Sequence, residues 1–171
     1  MERLETARLV LRPFRDGDAA DLYEYARDPD VGPIAGWPAH QSEDESREVI
    51  RTVFAHPHVF AVELKETGKV IGSAGFVGGH RTELPGPDDE IGYCLSPAYW
   101  GRGLMPEVVK ELIRYGFGTL GLRTIWCDHY DGNTKSRRVI EKCGFVYRFS
   151  EVTRVALMDE DRLTHFYALE R

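Results

Sequence analysis

Apolar positions recur along the chain with two periods, every second residue in some stretches and every third or fourth in others, and the changes of period mark its elements. Residues 6–14 place Leu9 and Leu11 on one face of an extended segment and Arg8, Val10 and Arg12 on the other, and Pro13 ends this first strand. Over 18–27 the spacing of Leu22, Tyr23 and Ala26 is helical, and Asp28-Pro29 stops it. The stretch 31–41 holds Gly32, Pro33, Gly36 and Pro38 and is expected to be loop. Ser42 with Glu45 three residues on is a capping-box pair, opening a helix whose buried stripe is Val49, Ile50, Val53 and Phe54. Two alternating runs, 58–64 and 70–77, flank a Glu66-Thr67-Gly68-Lys69 turn and predict a hairpin.

After a polar loop over 78–88, residues 90–95 (EIGYCL) predict a strand stopped by Ser96-Pro97. A long amphipathic helix follows over 104–120. It is apolar at Met105, Val108, Val109, Leu112 and Ile113, with Glu107, Lys110, Glu111 and Arg114 towards water and Gly121 closing it. Residues 123–130 predict a strand, 133–143 a helix ended by Gly144-Phe145, and 146–153 and 163–169 two closing strands. No repeat or linker interrupts the pattern. The expectation is one domain over residues 1–171, of α/β (α+β) class, with an antiparallel front half and a strand-helix-strand-helix-strand back half.

Composition narrows the partners. With 42% apolar and 29% charged residues the chain is an ordinary soluble globular sequence, and 22 Lys+Arg against 28 Asp+Glu leave a formal charge of -6. No broad cationic surface for nucleic acid is implied. The first twelve residues interleave charges with apolar residues and lack the apolar core of a leader, and no run approaches a membrane span. Cys94, Cys127 and Cys143 fit neither a zinc motif nor a disulfide framework, so reduced thiols, no metal and a cytoplasmic location are expected.

Candidate chemistry concentrates in two places. In SPAYWGRGLMPE, residues 96–107, a strand ends, a loop carries Gly101 and Gly103, and a long helix begins. Amides at such a helix start are unpaired and lie at the positive end of its dipole, which makes the loop a candidate pyrophosphate cradle; a plain loop accounts for two glycines equally well. Downstream, Asn133 sits where a helix is capped, which alone explains it. Ser136 shares a helix face with Val139, Ile140 and Cys143, so its hydroxyl points inward or into a cleft, where it meets either a backbone carbonyl or a ligand.

Taken in order, YWGRGLMPEVV and NTKSRRVIEKCGF resemble the GNAT superfamily of acyl-CoA-dependent N-acetyltransferases, in the branch related to ribosomal-protein alanine N-acetyltransferases. TARLVLRPFRDGDAADLY and EIGYCLSPAYWGRG carry the resemblance over nearly the whole chain. It implies a GNAT-like twisted mixed sheet of about seven strands flanked by about four helices. That sheet is splayed between the fourth strand, 90–95, and the fifth, 123–129. It also implies acetyl-CoA as co-substrate, with the backbone of Tyr93, Cys94 and Leu95 pairing with the pantetheine arm. The pyrophosphate would lie on Trp100, Gly101, Arg102, Gly103, Leu104 and Met105, Asn133 would contact the pantetheine arm, and Ser136 would lie near the sulfur. Met105, where the family often has a small residue, either crowds the helix start or packs. Ile140 stands where many members carry a tyrosine that protonates the leaving thiolate, and in this branch the serine at Ser136 takes that role.

A primary ammonium must lose a proton before it attacks a thioester. Glu90 is the first candidate base, on one strand face with Gly92 and Cys94, although it also reads as the end of a solvated run, Asp88-Asp89-Glu90. Asp128 and His129 are reserves; His129 is the histidine best placed to titrate near neutrality, but a surface or core-capping histidine is the commoner account. Cys94 and Cys127 are expected to be packed strand residues rather than acyl carriers. Trp37 either lines the acceptor side or anchors its loop. The function expected is direct transfer from acetyl-CoA to a primary amine, a protein amino terminus or a small molecule, within a ternary complex. The alternative is a non-catalytic acyl-CoA-binding module or sensor. Arg102 is expected beside the cofactor, with Asp88, Asp89 and Glu90 facing a cationic amine across the cleft; monomer and homodimer are both open.

Overall fold

The alternating runs pair as an antiparallel series that makes up the first half of the chain. The structure, a computed structural model, describes residues 2–171. β1 (Leu4–Glu5), β2 (Leu9–Arg12), β3 (Val59–Leu64), β4 (Val70–Phe76) and β5 (Asp88–Leu95) are neighbours in sequence order, each antiparallel to the last. β6 (Thr124–Tyr130) then lies parallel to β5. β8 (Glu160–Glu170) pairs with β6, and β7 (Val146–Val155) closes the far edge, giving the order β1-β2-β3-β4-β5-β6-β8-β7. Eight strands stand where about seven were expected, because β1 is a two-residue pairing of Leu4 with Leu11 and Glu5 with Val10, too short to show a period.

Helices cover both faces. α1 (Ala19–Ala26) and α3 (Glu43–Thr52) bury Ala19, Leu22, Tyr25 and Ile50 on one side, and α4 (Leu104–Gly118) and α5 (Thr134–Lys142) bury Val108, Val109, Leu112 and Ile140 on the other. Alternation along β5 divides its side chains between the two layers, Cys94 packing with the first cluster and Tyr93 and Leu95 with the second. A fifth helix, the single turn α2 (Gly32–Ala35), occupies part of the expected loop; Pro33 fits its first turn and Gly36, at φ 102, ends it.

Ser42 caps α3 as expected, its Oγ accepting from Glu45 N at 3.1 Å. The buried stripe of α3 is narrower than expected: Val53 falls on the cap, after the helix has ended, and is 61% exposed. α4 stops at Gly118, before the expected end, although Gly121 does take the left-handed conformation. Arg12 is buried, its guanidinium bound in two places to Asp18 and by Nε to Glu63. Among the described residues no helix is long and apolar enough to cross a membrane.

Candidate active site

β5 and β6 are paired only from Asp88 with Thr124 to Ile91 with Cys127. Beyond that point residues 92–95 stay paired to β4, from Gly92 with Gly75 to Leu95 with Gly72, while β6 continues against β8 to Tyr130. The two central strands therefore diverge, and the β6-facing edge of residues 92–95 has no strand partner. Leu95 O on this stretch is taken by the Trp100 indole N–H at 2.9 Å.

On the α4–α5 side the divergence opens into a cleft of ≈ 720 Å³, walled by the end of β5, the start of α4 and one side of α5. The backbone N–H groups of Gly101, Arg102, Gly103, Leu104 and Met105 find no acceptor among the described residues. Positive φ at Gly101 (75°) and Gly103 (72°) folds the loop into the helix start. Arg8 and Glu107 fix it from behind. Arg8 Nη1 donates to Arg102 O at 3.0 Å, and the Glu107 carboxylate accepts from Thr6 Oγ1, Arg8 N and Arg8 Nε. Glu107 thus turns to the first strands instead of water. Burial opposes its ionisation, but those hydrogen bonds together outweigh it and hold the carboxyl below its ordinary value.

The loop's side chains divide differently from expectation. Trp100, Gly101, Gly103, Leu104 and Met105 line the cleft, and Met105 is also packed into the core. Arg102 does not line it, because its guanidinium donates to Ala98 O and lies over the Tyr99 ring. The cations that do line it come from α5: Lys135, whose ammonium sits 3.7 Å from the Trp100 ring centroid, with Arg138 and Lys142. They recur at spacings of three and four residues, on one face of the helix, and were not singled out from the sequence.

Asn133 caps α5, accepting from Ser136 N at 3.2 Å, and lines the cleft as well. Ser136 Oγ lies 2.9 Å from the Tyr93 hydroxyl, which also donates to Ser136 O at 3.2 Å. Burial pushes the Tyr93 phenol well up, so it stays a neutral hydroxyl. The sequence pointed to the Tyr93 backbone; its side chain was not singled out. Ile140 is fully buried and offers no chemistry.

Through the divergence lies a second chamber of ≈ 390 Å³ on the other face of the sheet. Tyr93, Cys94, Asn133 and Ser136 line both spaces. Trp37 forms part of its wall and packs against the α1–α3 cluster. Glu90 and Asp128 sit on one face of β5 and β6, Glu90 in register with Trp126, two residues before Asp128. Burial first, then the Asp128 charge, pushes the Glu90 carboxyl up to about 8; burial raises Asp128 too. Glu90 Oε2 is buried without a hydrogen-bond partner, with Arg81 Nη2 at 3.6 Å.

Asp88 and Asp89 do not face this chamber. Asp88 accepts from Trp126 Nε1 and Arg81 N, and Asp89 from Gly78 N and Glu90 N, so both hold the loop that precedes β5. His129 lines the chamber, but Nδ1 is bound to Tyr130 O and Nε2 to the Tyr167 hydroxyl, and burial lowers its pKa. The thiols of Cys94 and Cys127 are pushed up by burial, which disfavours the nucleophilic thiolate. No group of three or more His, Cys, Asp or Glu side chains is gathered for a metal among the described residues.

Comparison with known proteins gives this geometry a context. A family model described as an acetyltransferase (GNAT) domain matches residues 8–146. The chain is 32% identical over 150 residues to uncharacterized N-acetyltransferase p20 of Bacillus licheniformis, covering 85% of this chain and 83% of that one. Its fold is shared with a GNAT-family acetyltransferase from Bacillus anthracis, at a TM-score of 0.85 and 24% identity, covering 99% and 98% of the two chains. A ribosomal-protein-S5-alanine acetyltransferase from Vibrio fischeri matches with a TM-score of 0.75 and 22% identity, covering 99% and 97%.

Proposed function

The chain belongs to the GNAT family of N-acetyltransferases, and on that footing we propose that its 171 residues act as one domain transferring an acetyl group from acetyl-CoA to a primary amine. The observation that carries the reading is the pair of spaces meeting at Tyr93, Cys94, Asn133 and Ser136. A thioester entering from one face of the sheet and an amine from the other would meet at these residues.

Acetyl-CoA supplies an activated acetyl thioester. The residues present suit such a molecule: free amides at residues 101–105 and the Lys135, Arg138 and Lys142 cations match its phosphates. The unpaired edge of residues 92–95 offers backbone groups to the amides of the pantetheine arm, and Asn133 reaches into the same space. A backbone amide of that edge stabilises the tetrahedral oxyanion, a role worth ~2.7–4 kcal/mol where such donors have been removed. Glu90, with Asp128 beside it, takes the proton of the incoming ammonium directly or through water. The amine nitrogen bonds to the acetyl carbon, the carbon–sulfur bond breaks, and the leaving sulfur takes a proton from Ser136, whose hydroxyl Tyr93 orients; the second proton of the nitrogen, shed as the amide forms, returns through water to Ser136 and restores its hydroxyl. No acyl-enzyme is required, and the raised Cys94 thiol does not favour one.

The acceptor is a small-molecule amine or a protein amino terminus, and the unpaired cysteines suit the reducing cytoplasm. The test is amine-dependent release of free CoA thiol across a panel of amines and peptides, alongside direct measurement of acetyl-CoA binding. Acceleration by at least one amine supports transfer. Binding with no acceleration by any of them makes the chain an acyl-CoA-binding module instead.

A further inference from the structure

Resting on the acetyl-transfer reading, we infer that the acceptor is a compact monoamine on an apolar body, an arylalkyl or branched alkyl amine, rather than a polyamine or a peptide amino terminus. The inference comes from how charge and apolar surface divide within the chamber on the α1–α3 side. Its two carboxylates, Glu90 and Asp128, flank the last β5–β6 pair, Ile91 with Cys127, where the sheet begins to open. Arg81 stands 3.6 Å from Glu90 and balances part of their charge. Glu90 Oε2, buried and without a hydrogen-bond partner, is an acceptor in place for an N–H group.

Much of the remaining wall is apolar. Trp37, Phe54, Val59 and Ala74 wall it, and Val53 and Val77 stand at its mouth, 61% and 53% exposed. Two valines left open to solvent beside a pocket favour a ligand that covers them with apolar surface. His56 at the same mouth supplies no negative charge. A second ammonium on the ligand would lose water without gaining a counter-ion.

Peptide amides find few partners, since several polar side chains of the chamber are engaged and those left, the Tyr130 hydroxyl and Asn133 Nδ2 besides Glu90, are too few for a run of amides. Ser73 Oγ is 2.9 Å from Cys94 Sγ, both His129 nitrogens are bonded, and Asn133 caps its helix. An amide of an inserted peptide lying against Trp37 or Phe54 would be stripped of water without a partner.

The test compares kcat/KM, from CoA thiol release at saturating acetyl-CoA, for phenethylamine, spermidine and an alanine tripeptide amide. Phenethylamine is expected to exceed each of the others by at least ~10-fold, the scale on which apolar pockets discriminate. A faster reaction with spermidine or the tripeptide overturns the inference and leaves acetyl transfer intact. Turnover of none of the three, nor of any other amine, with acetyl-CoA still bound overturns acetyl transfer itself and this inference with it. Val53→Asp, at an exposed position, supplies a second readout. It should lower the phenethylamine-to-spermidine ratio by about tenfold with acetyl-CoA affinity unchanged. An unchanged ratio in a variant that still binds acetyl-CoA also overturns the inference.

Discussion

The Tyr93 hydroxyl and Ser136 Oγ meet at 2.9 Å across the gap between β5 and α5, where the two spaces of the cleft join. The phenol is kept neutral by burial, and the contact holds the serine hydroxyl in place for the proton-donor role proposed for it. Ser136→Ala should lower kcat by about 10²-fold, the lower range for a positioned acid, and leave the acetyl-CoA dissociation constant within a factor of two or so. Tyr93→Phe should lower kcat less, because the serine remains. Steady-state kinetics with equilibrium binding separates the effects, and an unaltered kcat in Ser136→Ala removes the hydroxyl from the mechanism.

For Glu90 the direction of the pKa shift sets both stability and rate. Its carboxyl keeps a proton in the folded chain up to about 8 but in the unfolded chain only to its ordinary 4.5. Between those values the folded state binds more protons, so this contribution to stability is full below 4.5 and is lost as pH rises through about 8. Glu90→Gln should flatten the decline in melting temperature across that window. With an amine common to both proteins, the acid limb of kcat should shift or vanish in the variant. Retention of the wild-type acid limb would falsify the assignment of Glu90 as base.

The phosphate role proposed for the loop is open to a charge test at Gly103. An added Cβ there meets only Arg8 Nη2, at 3.7 Å, so Gly103→Ala measures the strain of a side chain at φ 72°. Gly103→Asp adds a negative charge beside the free amides. By calorimetry the aspartate should weaken CoA binding at least ~10-fold more than the alanine. Equal affinities for the two variants would leave the loop without a phosphate role.

Along α5 the expectation concerns salt. Replacing Arg138 and Lys142 together by glutamine should weaken CoA binding by about tenfold at low ionic strength, and the gap from wild type should narrow as salt rises. A difference that persists at high salt would mean the side chains act by packing rather than by charge.

The strand-loop-helix run from β5 into α4 and the cap at Asn133 were legible because each depends on residues close in sequence: Ser96-Pro97, the two glycines, and an asparagine before a helical stripe. The placement of Glu90 was half legible. Alternation put it on the correct face, but the neighbour that raises its pKa, Asp128, reaches it only through the parallel register of β5 and β6. The same limit hid the fates of Asp88 and Asp89, whose partners come from β6 and from the loop before β5. Lys135, Arg138 and Lys142 escaped notice because a charged helix face looks the same in sequence whether it meets bulk water or a cleft.

The early end of the β5–β6 pairing at Ile91 and Cys127 has one more effect. This sheet is unfinished in its own middle, and whatever occupies the gap completes it as a missing strand would. The unliganded fold should therefore be softest at its centre. Amide hydrogen exchange at residues 92–95 should slow when CoA binds, and the melting temperature should climb with the logarithm of CoA concentration above its dissociation constant. Substrate would then act as a structural member of the domain during each turnover.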